Sequence, residues 1–237
     1  MRTYSPITSR RGILVGRPLA AAMMLAWLLA LAGFIHLLNM NRQLTDLILV
    51  QKNQLLKQQD QIAGLQDRLH VLEAIEDMQS SLSPDEEVRL AHQVYNYSKH
   101  LELDPLLVIS VIRVESDFSA EAVSPMGARG LMQVMPSTAR FITEAQGWTW
   151  PGEECLFEPS FNIRLATVYL SGLLSKFGSV EDALIAYNCG EGALRQMMST
   201  GEPIPRAFSR RVLTVYSRLK RRYAPAPPPI LRSEQIL

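Results

Sequence analysis

The sequence has almost no charge imbalance and very few histidines. Its 24 Lys and Arg residues nearly balance 23 Asp and Glu residues, which gives a formal net charge of +1 at pH 7. Proteins that bind nucleic acids usually present a strong basic surface, so we expect no nucleic-acid partner. The four histidines, at positions 36, 70, 92 and 100, show no spacing typical of metal ligands. The pattern therefore predicts no metal site.

Cysteine and strand signals are also scarce. The chain has two cysteines, Cys155 and Cys189, and these could form one disulfide or remain two free thiols. A disulfide needs Cα atoms about 4.4–6.8 Å apart, which sequence alone cannot establish. Few segments show the alternation of apolar and polar residues that indicates strands. We therefore expect a mainly α-helical protein.

An uncharged apolar run covers residues 19–38 near the N-terminus. Twenty such residues are enough to cross about 30 Å of hydrocarbon as a helix. Basic residues precede the run without an acidic residue among them, which predicts a cytoplasmic N-terminus over 1–18 and export of the remainder. We therefore expect a single-pass membrane anchor, with the rest of the chain outside the cytoplasm. The alternative is a signal peptide cleaved after Ala30-Leu31-Ala32.

The segment 44–78 shows a heptad pattern of apolar residues over about four repeats. Its core positions are Leu44, Ile48, Leu55, Ile62, Leu65, Leu69 and Leu72, with Gln51 and Gln58 in the same register. This spacing predicts a coiled-coil stalk about 50 Å long, which could make the protein a homo-oligomer. The alternative is one amphipathic helix that folds back on the following domain.

A compact domain is expected over residues 82–223, because Ser83-Pro84-Asp85-Glu86 carries the signals of a helix N-terminus. Asp104-Pro105 repeats the cap-and-proline signal before an apolar run that ends at Glu115. Further helices are expected at 137–146, 161–176, 180–187, 191–198 and 206–222. The proline-rich segment 224–237 cannot continue a helix, and we expect it to be disordered.

Glu115 is the candidate catalytic residue on physical grounds. It lies at the C-terminal end of an apolar helix, where the helix dipole and apolar surroundings both disfavour an ionised carboxylate. A carboxyl group with a raised pKa is what glycoside cleavage requires of a proton donor. The alternative is a solvated glutamate at a helix end.

Three motifs resemble the lytic transglycosylases of the soluble, goose-type-lysozyme-related group, which cleave bacterial peptidoglycan. They are ESDFSAEAVSPMGARGLMQVMPSTA at 115–139, NIRLATVYLSGLL at 162–174 and ALIAYNCGEGA at 183–193. They follow the order found in that group and span most of 106–198. The resemblance implies an α-helical, lysozyme-like catalytic domain that needs no cofactor.

The resemblance also assigns roles to individual residues. Glu115 matches the single catalytic acid and base, and Ser116 matches the serine that follows it. The residues that match the lining of the sugar groove are Ser124, Gln133 and Met135, and those that match the pair opposite the glutamate are Tyr187 and Asn188. Gly127 and Gly130 are expected to form the turn that brings Gln133 and Met135 back over the acid.

The implied reaction breaks the β-1,4 bond between N-acetylmuramic acid and N-acetylglucosamine without water and leaves a 1,6-anhydro end. Most glycosidases use two carboxylates. No second acid here matches a catalytic position in the family, and the resemblance implies that the substrate's own N-acetyl group stabilises the reacting carbon instead. The acids considered for that place are Asp117, Glu121, Glu153, Glu154 and Glu191.

The chain departs from the family pattern before its last helix. The family usually has a Glu-Thr pair there, whereas this sequence has Ile204 at the acidic position and Glu202 displaced from it. This departure motivates an alternative in which the domain binds glycan without cutting it and the coiled coil recruits a partner. Seven basic residues between Arg206 and Arg222 indicate either a solvated last helix or a surface for an anionic partner.

Overall fold

The computed structural model of the protein describes residues 16–78 and 82–223. Residues 1–15 of the predicted basic N-terminus and the whole predicted tail, 224–237, lie outside the described residues. The described parts contain helices and two isolated β-bridges but no strand, which confirms the mainly α-helical prediction. The α-helices are α1 Gly16–Glu76, α2 Pro84–His100, α3 Pro105–Glu115, α4 Pro136–Gln146, α5 Pro159–Phe177, α6 Val180–Cys189, α7 Glu191–Thr200 and α8 Ala207–Tyr223, and a short 3-10 helix spans Glu153–Phe157.

The first of two compact units ends at Ile62 and consists of the first part of α1. The apolar run 19–38 is helical throughout and exposed to solvent along its whole length. It is long and apolar enough to cross a membrane. The heptad segment from 44 onward is helical as well, and Leu44, Ile48 and Leu55 are exposed. Helix formation is therefore confirmed, while the pairing of this helix with another stays a prediction.

The second unit begins at Ala63, well before residue 82, where the cap signal places the domain boundary. The last turns of α1 belong to this unit because Val71, Ala74 and Ile75 are buried in its core. The hydroxyl of Tyr223, at the end of α8, donates a 3.2 Å hydrogen bond to the carbonyl of Glu73. Apolar packing and this bond attach the end of α1 to the globular part.

Local signals fix where the helices of the second unit begin. Oδ1 of Asp104 accepts a 2.9 Å hydrogen bond from the backbone N–H of Leu106, which caps α3 as the sequence predicts. The backbone N–H of Ser83 donates to Oε2 of Glu86 at 2.8 Å, which is half of the expected capping box. The predicted helices agree with the observed bounds to within two residues.

Helix α3 is the centre of the core. Its residues Leu106–Ile112 are all buried, as expected for a helix that is apolar on nearly every face. Helix α8 runs antiparallel to α3 and packs against it, and α6 packs against both α5 and α8. The start of α3 is joined to the end of α8, because Tyr216 and Lys220 contact Asp104 at 2.7 and 3.0 Å.

Candidate active site

Glu115 is the last residue of α3, and its side chain is partly buried. Desolvation raises the pKa of its carboxyl group to about 7, against the smaller opposing effect of the positive charge on Arg211. The direction agrees with the expectation from sequence, but burial rather than the helix dipole is its main cause. No hydrogen bond or ion pair engages the Glu115 side chain within the described parts of the chain. A carboxyl group that titrates near neutral pH can donate a proton and then accept one.

The segment after α3 turns sharply below Glu115. Asp117 and Phe118 both have positive φ angles, 53° and 67°, and the Phe118 side chain is fully buried. Oγ of Ser116 donates a 2.8 Å hydrogen bond to the carbonyl of Leu131. The buried phenyl ring and this hydrogen bond therefore hold the end of α3 against the loop that returns from residue 131.

Gly130 sits where the returning loop leaves no space for a side chain. A Cβ atom there would lie 2.1 Å from the carbonyl oxygen of Leu156 and 2.5 Å from Nδ2 of Asn162, and the φ angle is +76°. The backbone N–H of Gly130 donates to the carbonyl of Ala122 at 2.9 Å. Gly127 also has a positive φ of +85°, but it faces open space. The requirement for glycine is therefore stronger at position 130.

Ser124 and Gln133, both predicted to line the sugar groove, are hydrogen-bonded within this loop. Oγ of Ser124 accepts from the N–H of Ala128 at 3.0 Å. Nε2 of Gln133 donates to the carbonyls of Ala122 and Gly130 at 3.0 and 2.9 Å. Met135 is half-buried and lies just before the first residue of α4. The side chains of Ser124 and Gln133 therefore stabilise the loop through hydrogen bonds to its own backbone.

Asn162 holds the same loop, although it is not among the predicted site residues. Its Oδ1 accepts from the N–H of Met132 at 2.8 Å, and its Nδ2 donates to the carbonyls of Arg129 and Leu156, both at 2.8 Å. The side chain is fully buried in the first turn of α5. The sequence does place this asparagine beside apolar residues of α5. An amide buried there needs hydrogen-bond partners, so its position could have indicated a structural role.

Tyr187 packs beside the loop and faces Glu115. Its hydroxyl donates a 2.7 Å hydrogen bond to the carbonyl of Met132. Its ring stacks on Phe208 with centroids 6.4 Å apart and lies 5.6 Å from that of Tyr169. Burial and the nearby Glu115 raise the pKa of Tyr187 well above its usual value of 10, so the hydroxyl stays neutral. Asn188, the other residue of the predicted pair, is exposed near the end of α6.

The other acids considered as a second carboxylate are engaged elsewhere or exposed. Asp117 pairs with Arg113, and both Glu153 and Glu154 pair with Arg129. Glu191 pairs with Lys176 and Arg195, whereas Glu121 is exposed. Each of these carboxylates is exposed or held by a cation, whereas the carboxyl group of Glu115 is partly buried and has no such partner in the described residues. The thiols of Cys155 and Cys189 are both free.

Residues 93–202, which include Glu115 and the loop that packs against it, match the family model described as the transglycosylase SLT domain. This part of the chain is similar to the SLT family, and it is called the SLT domain below. The chain is 34% identical over 103 residues to the soluble lytic murein transglycosylase of Escherichia coli K12, an alignment that covers 42% of this chain and 16% of that protein. It is 30% identical over 151 residues to the membrane-bound lytic murein transglycosylase C of Edwardsiella ictaluri, covering 57% of this chain and 42% of that protein.

The SLT domain also resembles a solved structure. An inactive mutant of the lytic transglycosylase Slt from Pseudomonas aeruginosa superposes with a TM-score of 0.51 and 27% identity, covering 58% of this chain and 25% of that one. The chain spans less than half the length of each of these three proteins. The residues matched by the family model, 93–202, begin after the end of α1.

Proposed function

We propose that the protein is a membrane-anchored peptidoglycan lytic transglycosylase that cleaves the β-1,4 bond between N-acetylmuramic acid and N-acetylglucosamine. The observation that carries this proposal is the state of Glu115, a partly buried carboxyl group with a pKa of about 7 and no side-chain partner in the described parts of the chain. The SLT domain around it and the names of its relatives support the choice of substrate and reaction.

In the proposed reaction Glu115 first acts as an acid. Its proton goes to the glycosidic oxygen as the bond from that oxygen to C1 of the muramic acid breaks, which releases the N-acetylglucosamine side with a free hydroxyl. The carbonyl oxygen of the substrate's N-acetyl group attacks C1 and stabilises its developing positive charge. A second protein carboxylate is not needed, which agrees with the ion pairs and exposure of the other acids.

Glu115 then acts as a base. The ionised carboxylate takes the proton of the 6-hydroxyl on the same sugar, and the resulting oxygen displaces the acetamido oxygen from C1. The product is a 1,6-anhydro end, Glu115 is protonated again, and no water is consumed. A pKa near 7 suits both steps, because the acid and the base forms are then accessible at neutral pH.

The predicted sugar-binding residues divide into two groups by their contacts. Ser116, Ser124 and Gln133 make hydrogen bonds to the backbone, and we assign them the role of shaping the groove floor. Met135 and Asn188 are half-buried and exposed, respectively, and make no side-chain hydrogen bond in the described residues. They are proposed to contact the sugars directly, while Tyr187 supports the loop that faces Glu115.

The test is digestion of purified peptidoglycan by the full-length chain in an uncharged detergent. Wild type is compared with Glu115→Gln and with the matched control Glu121→Gln, which changes an exposed acid of the same loop. We expect wild type and the control to release anhydro ends, which are lighter by one water than hydrolysed ends, and Glu115→Gln to release none. Hydrolysed ends from wild type would indicate a lysozyme-type hydrolase. Undiminished cleavage by Glu115→Gln would refute the assignment, and binding without cleavage by wild type would favour a glycan-binding scaffold.

The apolar helical segment 19–38 is proposed to anchor the chain in the bacterial inner membrane, with residues 1–18 in the cytoplasm and the SLT domain in the periplasm. Its length and exposed apolar side chains support anchoring, as does the similarity to a relative named membrane-bound. A reporter enzyme that is active only in the periplasm, fused after residue 223, should be active. Loss of that activity when 19–38 is removed would agree with the anchor.

The heptad segment 44–78 is proposed to associate with a second copy of the chain. Leu44, Ile48, Leu55 and Ile62 repeat at coiled-coil spacing and are each more than half exposed. Chemical crosslinking of the full chain in detergent should give dimers or trimers. The double change Leu55→Glu and Ile62→Glu should abolish them, whereas Gln54→Glu and Gln61→Glu outside the seam should not.

A further inference from the structure

Helix α8 has a buried face and a basic face on opposite sides. Phe208, Val212 and Leu219 pack in the core. Four arginines lie on the other side, and at 3.6 residues per turn they fall within an arc of about 100°. This arginine stripe consists of Arg210, Arg211, Arg218 and Arg221, all exposed. Helix α8 contains no acidic residue that could neutralise the stripe.

The arginine stripe differs from the other basic residues at α8 because its side chains form no ion pair with the described residues. Arg206, Lys220 and Arg222 form ion pairs with Glu181, Asp104 and Asp77 at 2.7, 3.0 and 2.8 Å. The stripe arginines form no ion pair or side-chain hydrogen bond with any residue that the structure describes. Their guanidinium groups are therefore available to an anion, and a bidentate contact with a carboxylate is the geometry they favour.

The arginine stripe begins at the candidate active site. Phe208, in the first turn of α8, stacks on Tyr187, and Arg211 follows one turn later. Arg211 is near enough to Glu115 for its charge to act on that carboxyl group. Because α8 runs antiparallel to α3, the stripe leads from the level of Glu115 towards the start of α3. Its length from Arg210 to Arg221 is about 16 Å at 1.5 Å per residue.

We propose that the arginine stripe binds the carboxylates of the peptide substituents on the glycan strand that is being cleaved. This inference rests on the proposed function, because it places the strand at Glu115. Arg211 lies near Glu115, so a peptide on a muramic acid held there would start close to this end of the stripe. Five extended residues span about 17 Å, similar to the stripe. Such peptides carry free carboxylates. The stripe arginines can pair with these carboxylates without breaking an ion pair of the folded protein.

The test measures binding of soluble glycan strands to the full chain in uncharged detergent, in a Glu115→Gln background that prevents cutting. One strand sample keeps its peptides, and a second sample has been stripped of them by an amidase. The stripe variant is Arg218→Gln with Arg221→Gln, which leaves Arg211 beside Glu115 unchanged. The matched control is Arg89→Gln with Arg140→Gln, which removes two exposed arginines from α2 and α4.

We expect the stripe variant to bind peptide-bearing strands roughly three- to tenfold more weakly than its parent, because two exposed charge contacts are lost. The difference should shrink at high salt, and binding of stripped strands should not change. Equal weakening by the control variant, or equal weakening for both strands, would overturn the proposal. So would unchanged strand binding together with weaker retention on vesicles of anionic phospholipid, which would assign the stripe to a membrane. A parent that binds neither strand would instead remove the proposed function itself.

Discussion

The hydroxyl of Tyr187 donates a 2.7 Å hydrogen bond to the backbone carbonyl of Met132, 55 residues earlier in the chain. This bond joins the wall formed by α6 to the loop that packs against the end of α3. The carbonyl of the preceding residue, Leu131, accepts from Ser116, the residue after Glu115. The candidate acid is therefore positioned through two adjacent carbonyls of one loop.

Removal of the Tyr187 hydroxyl should loosen this loop. We expect Tyr187→Phe to lower the free energy of unfolding by about 1–2 kcal/mol, because a partly buried carbonyl loses its donor. Glycan cleavage should fall as well, since the loop faces Glu115. Thermal unfolding and the rate of anhydro-end release measure the two effects. The control is Tyr95→Phe, because the Tyr95 hydroxyl makes no hydrogen bond in the described residues; an equal loss of activity there would contradict the positional argument.

The raised pKa of Glu115 should make the stability of the SLT domain depend on pH. The folded state binds a proton at Glu115 up to about pH 7, whereas the unfolded chain releases it near pH 4.5. Folding is therefore penalised as pH rises through this window, and the full penalty of about 3 kcal/mol is present above pH 7. Glu115→Gln should thus stabilise the protein at pH 8 and have little effect at pH 4.

Denaturant unfolding at these two pH values measures that difference. Glu121→Gln changes an exposed acid of the same loop and is the matched control. If Glu115→Gln stabilises the protein at pH 8 and Glu121→Gln does not, the Glu115 carboxylate is buried and its ionisation lowers the free energy of unfolding. Equal gains from both substitutions would point to a general effect of negative charge in the loop.

Much of the fold follows from local sequence signals, whereas the support of the loop does not. The caps at Ser83 and Asp104 and the apolar run of α3 predict helices that the structure confirms. Partial burial of Glu115 is one of the two outcomes that the sequence left open for a glutamate at the end of that run. The bonds of Asn162 to residues 129 and 132 cross from α5 to a distant loop, and periodicity contains no information about such pairs. Packing of the end of α1 in the core of the second unit was expected only under the alternative of a helix that folds back on the domain.

Asn162 should be needed to keep the loop folded. We expect Asn162→Ala to destabilise the SLT domain by about 2–4 kcal/mol, since it leaves an N–H and two carbonyls without their partner in a buried place. Denaturant unfolding checks the magnitude. Asn188→Ala removes an exposed amide and serves as the control, with an expected change below about 0.5 kcal/mol. A similar small effect at Asn162 would show that water replaces its three bonds.

The two glycines of the loop should respond differently to alanine. Gly130→Ala places a Cβ atom against the carbonyl of Leu156 and the amide of Asn162, and we expect a loss of about 3–5 kcal/mol from overlap and a strained φ together. Gly127→Ala has only the strained φ, which costs about 1–2 kcal/mol. Thermal unfolding of both variants tests the order. Equal losses would mean that backbone conformation, rather than space, explains the glycine at 130.

Arg211 should set the pH range of catalysis through Glu115. Its positive charge lowers the pKa of Glu115, in opposition to burial, so Arg211→Gln should raise that pKa. A general acid must be protonated, so the fall in cleavage rate on the alkaline side should move to higher pH in the variant. Peptide-free strands are the appropriate substrate, because they separate this effect from binding by the arginine stripe. Arg210→Gln removes a neighbouring charge and should leave the profile in place. An unshifted profile in Arg211→Gln would mean that solvent screens the two groups from each other, and that burial alone sets the acidity of Glu115.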